Sequence, residues 1–306
     1  MASETIADSE APSRASVFVR DVLALSKPRI TGMVLFTFTG GLLLAPGAVV
    51  VGKALVALLG TTLIVAAANA INMYLERDVD GLMRRTMGRP LPDGRVAPFV
   101  ALALGAMLAS AAVPTLLVGG GAWLCLLGVI AFYSYVWGYT PLKRRSPLSL
   151  YVGAVPGAMP PLMGWVTATG RPEAPGLALF ALMFVWQIPH FIAIAIFRAE
   201  DYAGAGFRVI SLARSPLGTR VTLLLSTVAL LPATLSLVWL GIAGWLYGAA
   251  ALVLGLGFLV SVGRGLRLGP HAAETRIWAK SVFIYSLLYL TVLFVALALD
   301  RVLLAS

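Results

Sequence analysis

Apolar stretches long enough to cross a lipid bilayer recur along nearly the whole chain. Inside hydrocarbon, every backbone amide and carbonyl must be satisfied within the protein, which leaves only helices or a closed barrel. A barrel shows short alternating segments. These stretches instead run on as continuous apolar blocks, so the chain reads as an all-α, polytopic membrane protein. Composition agrees, with 59% of the 306 residues hydrophobic and 12% charged, against roughly 25% charged in soluble domains. Nine spans are expected in one bundle around a central cavity, at 30–50, 53–75, 97–117, 121–140, 148–168, 176–197, 221–240, 244–263 and 281–299. Residues 1–26 carry Glu4, Asp8, Glu10 and Asp21 and have no apolar signal-peptide core. They read as a cytoplasmic tail, and 27–306 as one membrane domain.

The basic residues sort by side. Of the 23 lysines and arginines, only Lys53, Arg171 and Arg301 fall in connections on one side of the expected membrane. By the positive-inside rule the other side is cytoplasmic, so the N-terminus is expected inside and the C-terminus outside, in an inner (plasma) membrane. The net charge of +10 is then a topology signal, and no nucleic-acid partner is expected. The single cysteine, Cys125, excludes an intrachain disulfide and sits mid-span as a small core residue.

Three constellations do not look like packing material. The first runs from Asn69 to Arg95 and includes N72-M-Y-L-E-R-D-V-D-G-L-M-R-R. In a continuing helix, Asn72, Glu76, Asp80 and Arg84 form one stripe at spacings of four. Its oxygens suit a hard cation such as Mg²⁺, and Arg84, Arg85 and Arg89 suit phosphate oxygens. A solvated loop that only sets topology is the plainer reading.

The second constellation is W186-Q-I-P-H-F-I-A-I-A-I-F-R-A-E-D-Y. Glu200 and Asp201 form another acidic pair at the mouth, and His190 lies roughly 16 Å deeper along a continuous helix. Trp186, Gln187 and His190 inside a span need partners. A hydrogen-bonded interhelical cluster and a contact to a buried ligand both satisfy that need. The third is Y139-T-P-L-K-R-R, where Lys143 and Arg144 supply cations beside the acids. No Walker loop, nucleophile elbow or dinucleotide fingerprint is present. His271, in the last charged loop, reads as a surface residue.

These blocks resemble the intramembrane prenyltransferases related to 4-hydroxybenzoate polyprenyltransferase, and within them the haem O synthase branch. The resemblance covers residues 23–300. It rests on the first acidic block together with S26-K-P-R, Y139-T-P-L-K-R, G153-A-V-P-G-A-M-P-P-L-M-G-W, W186-Q-I-P-H-F, R198-A-E-D-Y-A-G-A-G-F and A279-K-S-V-F-I-Y-S-L-L-Y-L. Glu76 departs from the aspartate usual at that place. The second motif reads R-A-E-D-Y, as in the haem O synthase variant.

The resemblance implies Mg²⁺-dependent transfer of a farnesyl group from farnesyl diphosphate to a vinyl group of haem B. Asn72, Glu76, Asp80, Glu200 and Asp201 would hold the metal. Lys143, Arg144 and Asp80 would be catalytic. Arg84, Arg85, Tyr139, Trp186, His190 and Tyr202 would contact substrates, with His190 a candidate for haem. A haem A synthase or a terminal-oxidase assembly is a candidate partner, besides the lipid bilayer. A related prenyltransferase of quinone precursors, and a transporter or haem-binding scaffold, are the competing readings. A transporter concentrates ionisable groups near the midplane, whereas here they gather at one face.

Overall fold

The computed structural model describes residues 14–83, 86–269 and 272–305, and all regular structure among them is helical. The principal helices are α1 (Arg14–Leu25), α2 (Pro28–Leu44), α3 (Val51–Asp80), α4 (Pro98–Tyr133), α5 (Thr140–Leu142), α6 (Ser149–Thr169), α7 (Ala174–Phe197), α8 (Ala199–Gly204), α9 (Ile210–Ala213), α10 (Pro216–Trp239), α11 (Trp245–Arg264) and α12 (Ala272–Ala305). Within the segment read as a tail, the described part is thus helix α1. Among the described residues six helices are long and apolar enough to cross a membrane, one of them running 45 residues from Pro98 to Leu142. The chain is a multi-pass membrane protein. Length and composition alone do not reach the expected nine crossings: Pro28–Leu44 has only 17 residues, and α6 carries three prolines.

The 45-residue stretch is not one rod. Gly121 adopts φ 76°, ψ −167°, a conformation open to glycine and not helical. A Cβ on Gly128 would touch the Leu116 side chain at 2.7 Å, whereas a straight helix would separate these residues by about 18 Å. α4 therefore folds back on itself at the Gly119-Gly120-Gly121 run, as two legs that correspond to the expected third and fourth spans.

The core divides in two. Phe38, Ile64, Leu116, Leu124 and Met163 centre the half built from α2, α3, α4 and α6. Leu179, Leu223, Leu237, Phe258 and Tyr289 centre the half built from α7, α10, α11 and α12. Phe180 packs against both halves. Cys125 is buried in the first, as its position suggested. Outward faces expose Phe36, Phe99, Trp245 and Val253, an ordinary surface only if it meets lipid.

Small residues let backbones touch where the hydrophobic effect cannot drive association. A Cβ on Gly41 would overlap the Pro161 carbonyl, and one on Gly164 would overlap the Phe38 carbonyl. α2 and α6 therefore meet backbone to backbone, and Pro161 of α6 lies in this seam. Gly164→Ala is expected to force the helices apart and lower stability by about 1–3 kcal/mol. Gly52→Ala, in helix α3 with nothing within 4 Å of the new methyl, should be neutral or slightly stabilising. Thermal unfolding in detergent separates the two; equal melting temperatures would deny the close contact.

Candidate active site

Helix α3 delivers the first acidic constellation to one end of the bundle. It ends at Asp80, so Asn72, Glu76 and Asp80 share a face as expected. The stripe does not run on in the same helix to Arg84, because the chain turns at Gly81. Arg84, Arg85 and His271 lie outside the described residues. Asn72, Glu76 and Asp80 are 1%, 6% and 2% exposed, which rules out the reading of a solvated loop. Buried carboxylates need partners, and each polar group here has one.

Lys143 Nζ donates to Glu76 Oε1 at 3.0 Å and Oε2 at 3.3 Å. Arg89 Nη1 donates to Asp80 Oδ2 at 2.5 Å. Lys27 Nζ donates to Asn72 Oδ1 at 2.7 Å, while Asn72 Nδ2 donates to Thr140 Oγ1 at 3.0 Å. Four polar or charged residues of three separate segments therefore converge on the α3 stripe. Lys27 was not among the sequence candidates, although S26-K-P-R carried it. Arg89 was anticipated only as one of several arginines.

Local backbone geometry explains how two of these groups arrive. Lys27 has φ 48°, ψ 67°, the only positive φ at a described non-glycine residue. Such a conformation costs on the order of 1–3 kcal/mol and persists where the surroundings fix it. Here Asn69 Nδ2 and Thr31 Oγ1 both donate to the Ser26 carbonyl, and Asn72 takes the Lys27 ammonium. Residues Ser134–Tyr139 form a π-helical turn, a rare feature that recurs at functional sites. It stacks Tyr135 on Tyr139 at 5.6 Å and brings the Tyr135 hydroxyl to Asn72 Oδ1 at 3.4 Å.

The electrostatics follow from crowding. Burial, with Arg89 and Lys143 nearby, pushes the Lys27 ammonium down to about 7, although Glu76 and Asp80 oppose this. Burial also acts to lower Lys143. Tyr139 and Glu76, which accepts its hydrogen bond, outweigh that effect and hold Lys143 above the ordinary lysine range. The Lys143 ammonium also sits over the Phe207 ring at 4.5 Å and the Tyr139 ring at 5.3 Å, as cation–π contacts do.

The second acidic constellation sits at the same end but apart. α7 stops at Phe197, and Arg198 leaves helical geometry at φ −109°, ψ 16°. Asp201 therefore does not continue the His190 stripe; it belongs to α8. Glu200 and Asp201 have side chains 93% and 46% exposed, beside Arg276 at 4.0 Å and Arg198 at 3.1 Å. Among the described residues no three acidic, His or Cys side chains form a ready metal cage. The two loops meet through apolar contact instead, Val79 and Met83 against Ala205, Phe207 and Tyr202. Arg208 N also donates to the Lys143 carbonyl at 3.1 Å. A cavity of about 210 Å³ is lined by Met83, Phe197, Asp201, Tyr202 and Phe283, among others. Arg144 is exposed.

Trp186 and Gln187 have structural partners. The Trp186 indole donates to the Ser286 carbonyl at 2.8 Å, and Gln187 Nε2 donates to the Ala154 and Met183 carbonyls. His190 Nδ1 lies 2.8 Å from Ser286 Oγ. The interhelical cluster is thus real.

A model of the UbiA prenyltransferase family matches residues 33–287. The chain belongs to the UbiA prenyltransferase family. It is 48% identical over 284 residues to the protoheme IX farnesyltransferase of Anaeromyxobacter dehalogenans, spanning 93% of this chain and 95% of that one. It is 49% identical to the enzyme of the same name from Myxococcus xanthus, spanning 92% and 95%. Among solved structures, a digeranylgeranylglyceryl phosphate synthase superposes with TM-score 0.80 at 15% identity, over 92% of this chain and 98% of that one. A UbiA homolog from Archaeoglobus fulgidus, bound to GPP and Mg²⁺, superposes with TM-score 0.64 at 17% identity, over 89% and 99%. At such identities the structural likeness speaks for the UbiA fold alone.

Proposed function

We propose that this chain transfers a farnesyl group from farnesyl diphosphate to a vinyl group of haem B, giving haem O. The observation that carries this reading is the near-complete alignment, at 48% and 49% identity, with relatives named protoheme IX farnesyltransferase. The convergence of carboxylates and cations at one end of an apolar bundle supports it physically. In the reaction the farnesyl C1–O bond breaks and diphosphate leaves with the electron pair. The vinyl π electrons form the new C–C bond, and water captures the resulting cation and loses a proton. A vinyl group is a weak nucleophile, so catalysis falls mainly on the leaving group.

The donor chemistry of the α3 stripe fits Mg²⁺, which takes one or two carboxylates plus substrate phosphate oxygens and waters rather than a closed protein cage. Glu76, Asp80 and Asn72 would hold it, with Glu200 and Asp201 facing the diphosphate from the opposite loop. When bound, the metal neutralises the departing diphosphate. Lys143, Arg144, Arg84 and Arg85 are assigned to diphosphate oxygens, joined by Lys27 and Arg89. Tyr139 and Tyr202 are assigned to substrate contact at the mouth. The apolar interior keeps water from the allylic cation until the new bond forms. In this reading the chain crosses a bacterial inner membrane nine times, with its N-terminus and the site on the cytoplasmic side and its C-terminus outside.

The test is incubation of the detergent-purified chain with haem B and labelled farnesyl diphosphate, with Mg²⁺ or with EDTA. Farnesylated haem should form only with both substrates and the metal. Prenylation of a quinone precursor, with haem left untouched, would move the chain to another branch of the family. Transfer undiminished by EDTA would remove the metal from the reading.

A further inference from the structure

His190 is 8% exposed, inside α7 and about 10 Å from that helix's end at Phe197 by helical rise. Its ring is fixed from several directions. Trp186 stacks on it at 4.7 Å, Phe283 tilts against it at 4.8 Å, and Phe191 meets it edge-on at 5.4 Å. Nδ1 lies 2.8 Å from Ser286 Oγ, and Ser286 Oγ itself donates to the Phe283 carbonyl at 2.6 Å. A serine hydroxyl has one hydrogen. A hydroxyl that gives its hydrogen to the Phe283 carbonyl accepts from Nδ1–H, the arrangement that leaves the lone pair on Nε2.

No hydrogen bond reaches Nε2 among the described residues. Every fully buried side-chain nitrogen or oxygen there has a partner, so Nε2 is not fully enclosed. Phe283, which packs on the imidazole, also lines the cavity of about 210 Å³ at the charged end. A histidine that ligates a metal through one nitrogen characteristically donates the other N–H to an acceptor that fixes its tautomer.

Resting on the reading that haem B is the acceptor, we propose that His190 Nε2 binds the iron of the incoming haem and that Ser286 is the positioning residue that keeps this nitrogen unprotonated. The interhelical cluster and the ligand site are then one device. Trp186 and His190, four residues apart on α7, grip the carbonyl and the hydroxyl of the same serine on α12. The porphyrin is held by its iron while its edge is prenylated, and the ligand that holds it is set by a residue that touches no substrate.

The experiment titrates ferric haem B into the full-length chain in detergent, without prenyl diphosphate, and reads the Soret band and affinity. Wild type should give an imidazole-ligated spectrum. His190→Ala should lose that spectrum, and added imidazole should restore it. Ser286→Ala should keep the fold but weaken haem binding by about 10–100-fold, as loss of such outer partners does. Ser286→Thr, which restores the hydroxyl, should recover it. An unchanged spectrum and affinity in His190→Ala would overturn the proposal while leaving haem farnesylation standing. A wild-type chain that neither binds nor prenylates haem would overturn both readings. Wild-type binding in Ser286→Ala would overturn the role of the serine.

Discussion

Asp80→Asn is expected to reduce farnesyl transfer by at least about a hundredfold, the scale on which one preorganised charge-stabilising group acts. Asparagine keeps an oxygen that accepts from Arg89, which lies 2.5 Å from Asp80 and is partly exposed. It also keeps the backbone carbonyl that takes Thr86 Oγ1 at 2.7 Å. The turn after α3 therefore has what it needs to form. What is lost is a negative charge at a position 2% exposed, and with it a hard donor for the cation that activates diphosphate. Transfer assays at saturating Mg²⁺ and a melting curve of the same preparation make the comparison. Full turnover in the variant would take Asp80 out of the metal role. A collapse in melting temperature would show that its ion pair with Arg89 is chiefly structural.

Lys143→Met should lower transfer by roughly 10²–10³-fold and destabilise the protein as well. Glu76 is buried and the Lys143 side chain is 15% exposed, and removing one partner of a buried pair leaves the other charge uncompensated, at a cost of about 3–5 kcal/mol. Methionine retains the apolar stem that packs near Phe207 and Tyr139. Glu76→Gln in the same chain removes the stranded charge. The double variant should recover most of the lost stability and little of the activity, because the leaving group still lacks the Lys143 ammonium. A double-mutant cycle in both melting temperature and transfer separates the two roles. If Lys143→Met alone transfers farnesyl with wild-type apparent affinity for the diphosphate, the lysine serves only to neutralise Glu76.

Much of the candidate site was legible because its residues are unusual where they stand. Asn72, Glu76 and Asp80 repeat every fourth residue at the end of an apolar run, and helical geometry alone puts them on one face. Their partners were less visible. Lys27 looked like an ordinary positive-inside residue until its strained turn carried it onto Asn72, 45 positions away. Ser286 stood in a quoted block, yet nothing in its neighbours along the chain points to a histidine 96 positions off. Glu200 and Asp201 were recognised as acids at the mouth. Their alignment with His190 assumed a continuous helix, which instead ends at Phe197.

The sequence by itself determined that this chain lies in a membrane, which end of it is charged, and to which family it belongs. Those properties follow from hydrocarbon length, helical period and the sorting of lysine and arginine, all of which are local or additive along the chain. The tertiary structure alone decided which cation sits on which carboxylate, the π-helical turn that turns Tyr135 toward Asn72, and the Ser286 hydroxyl that meets His190. Each depends on a contact between residues far apart in sequence, and in a dry interior a polar group has few partners within reach. Packing, not composition, chooses among them.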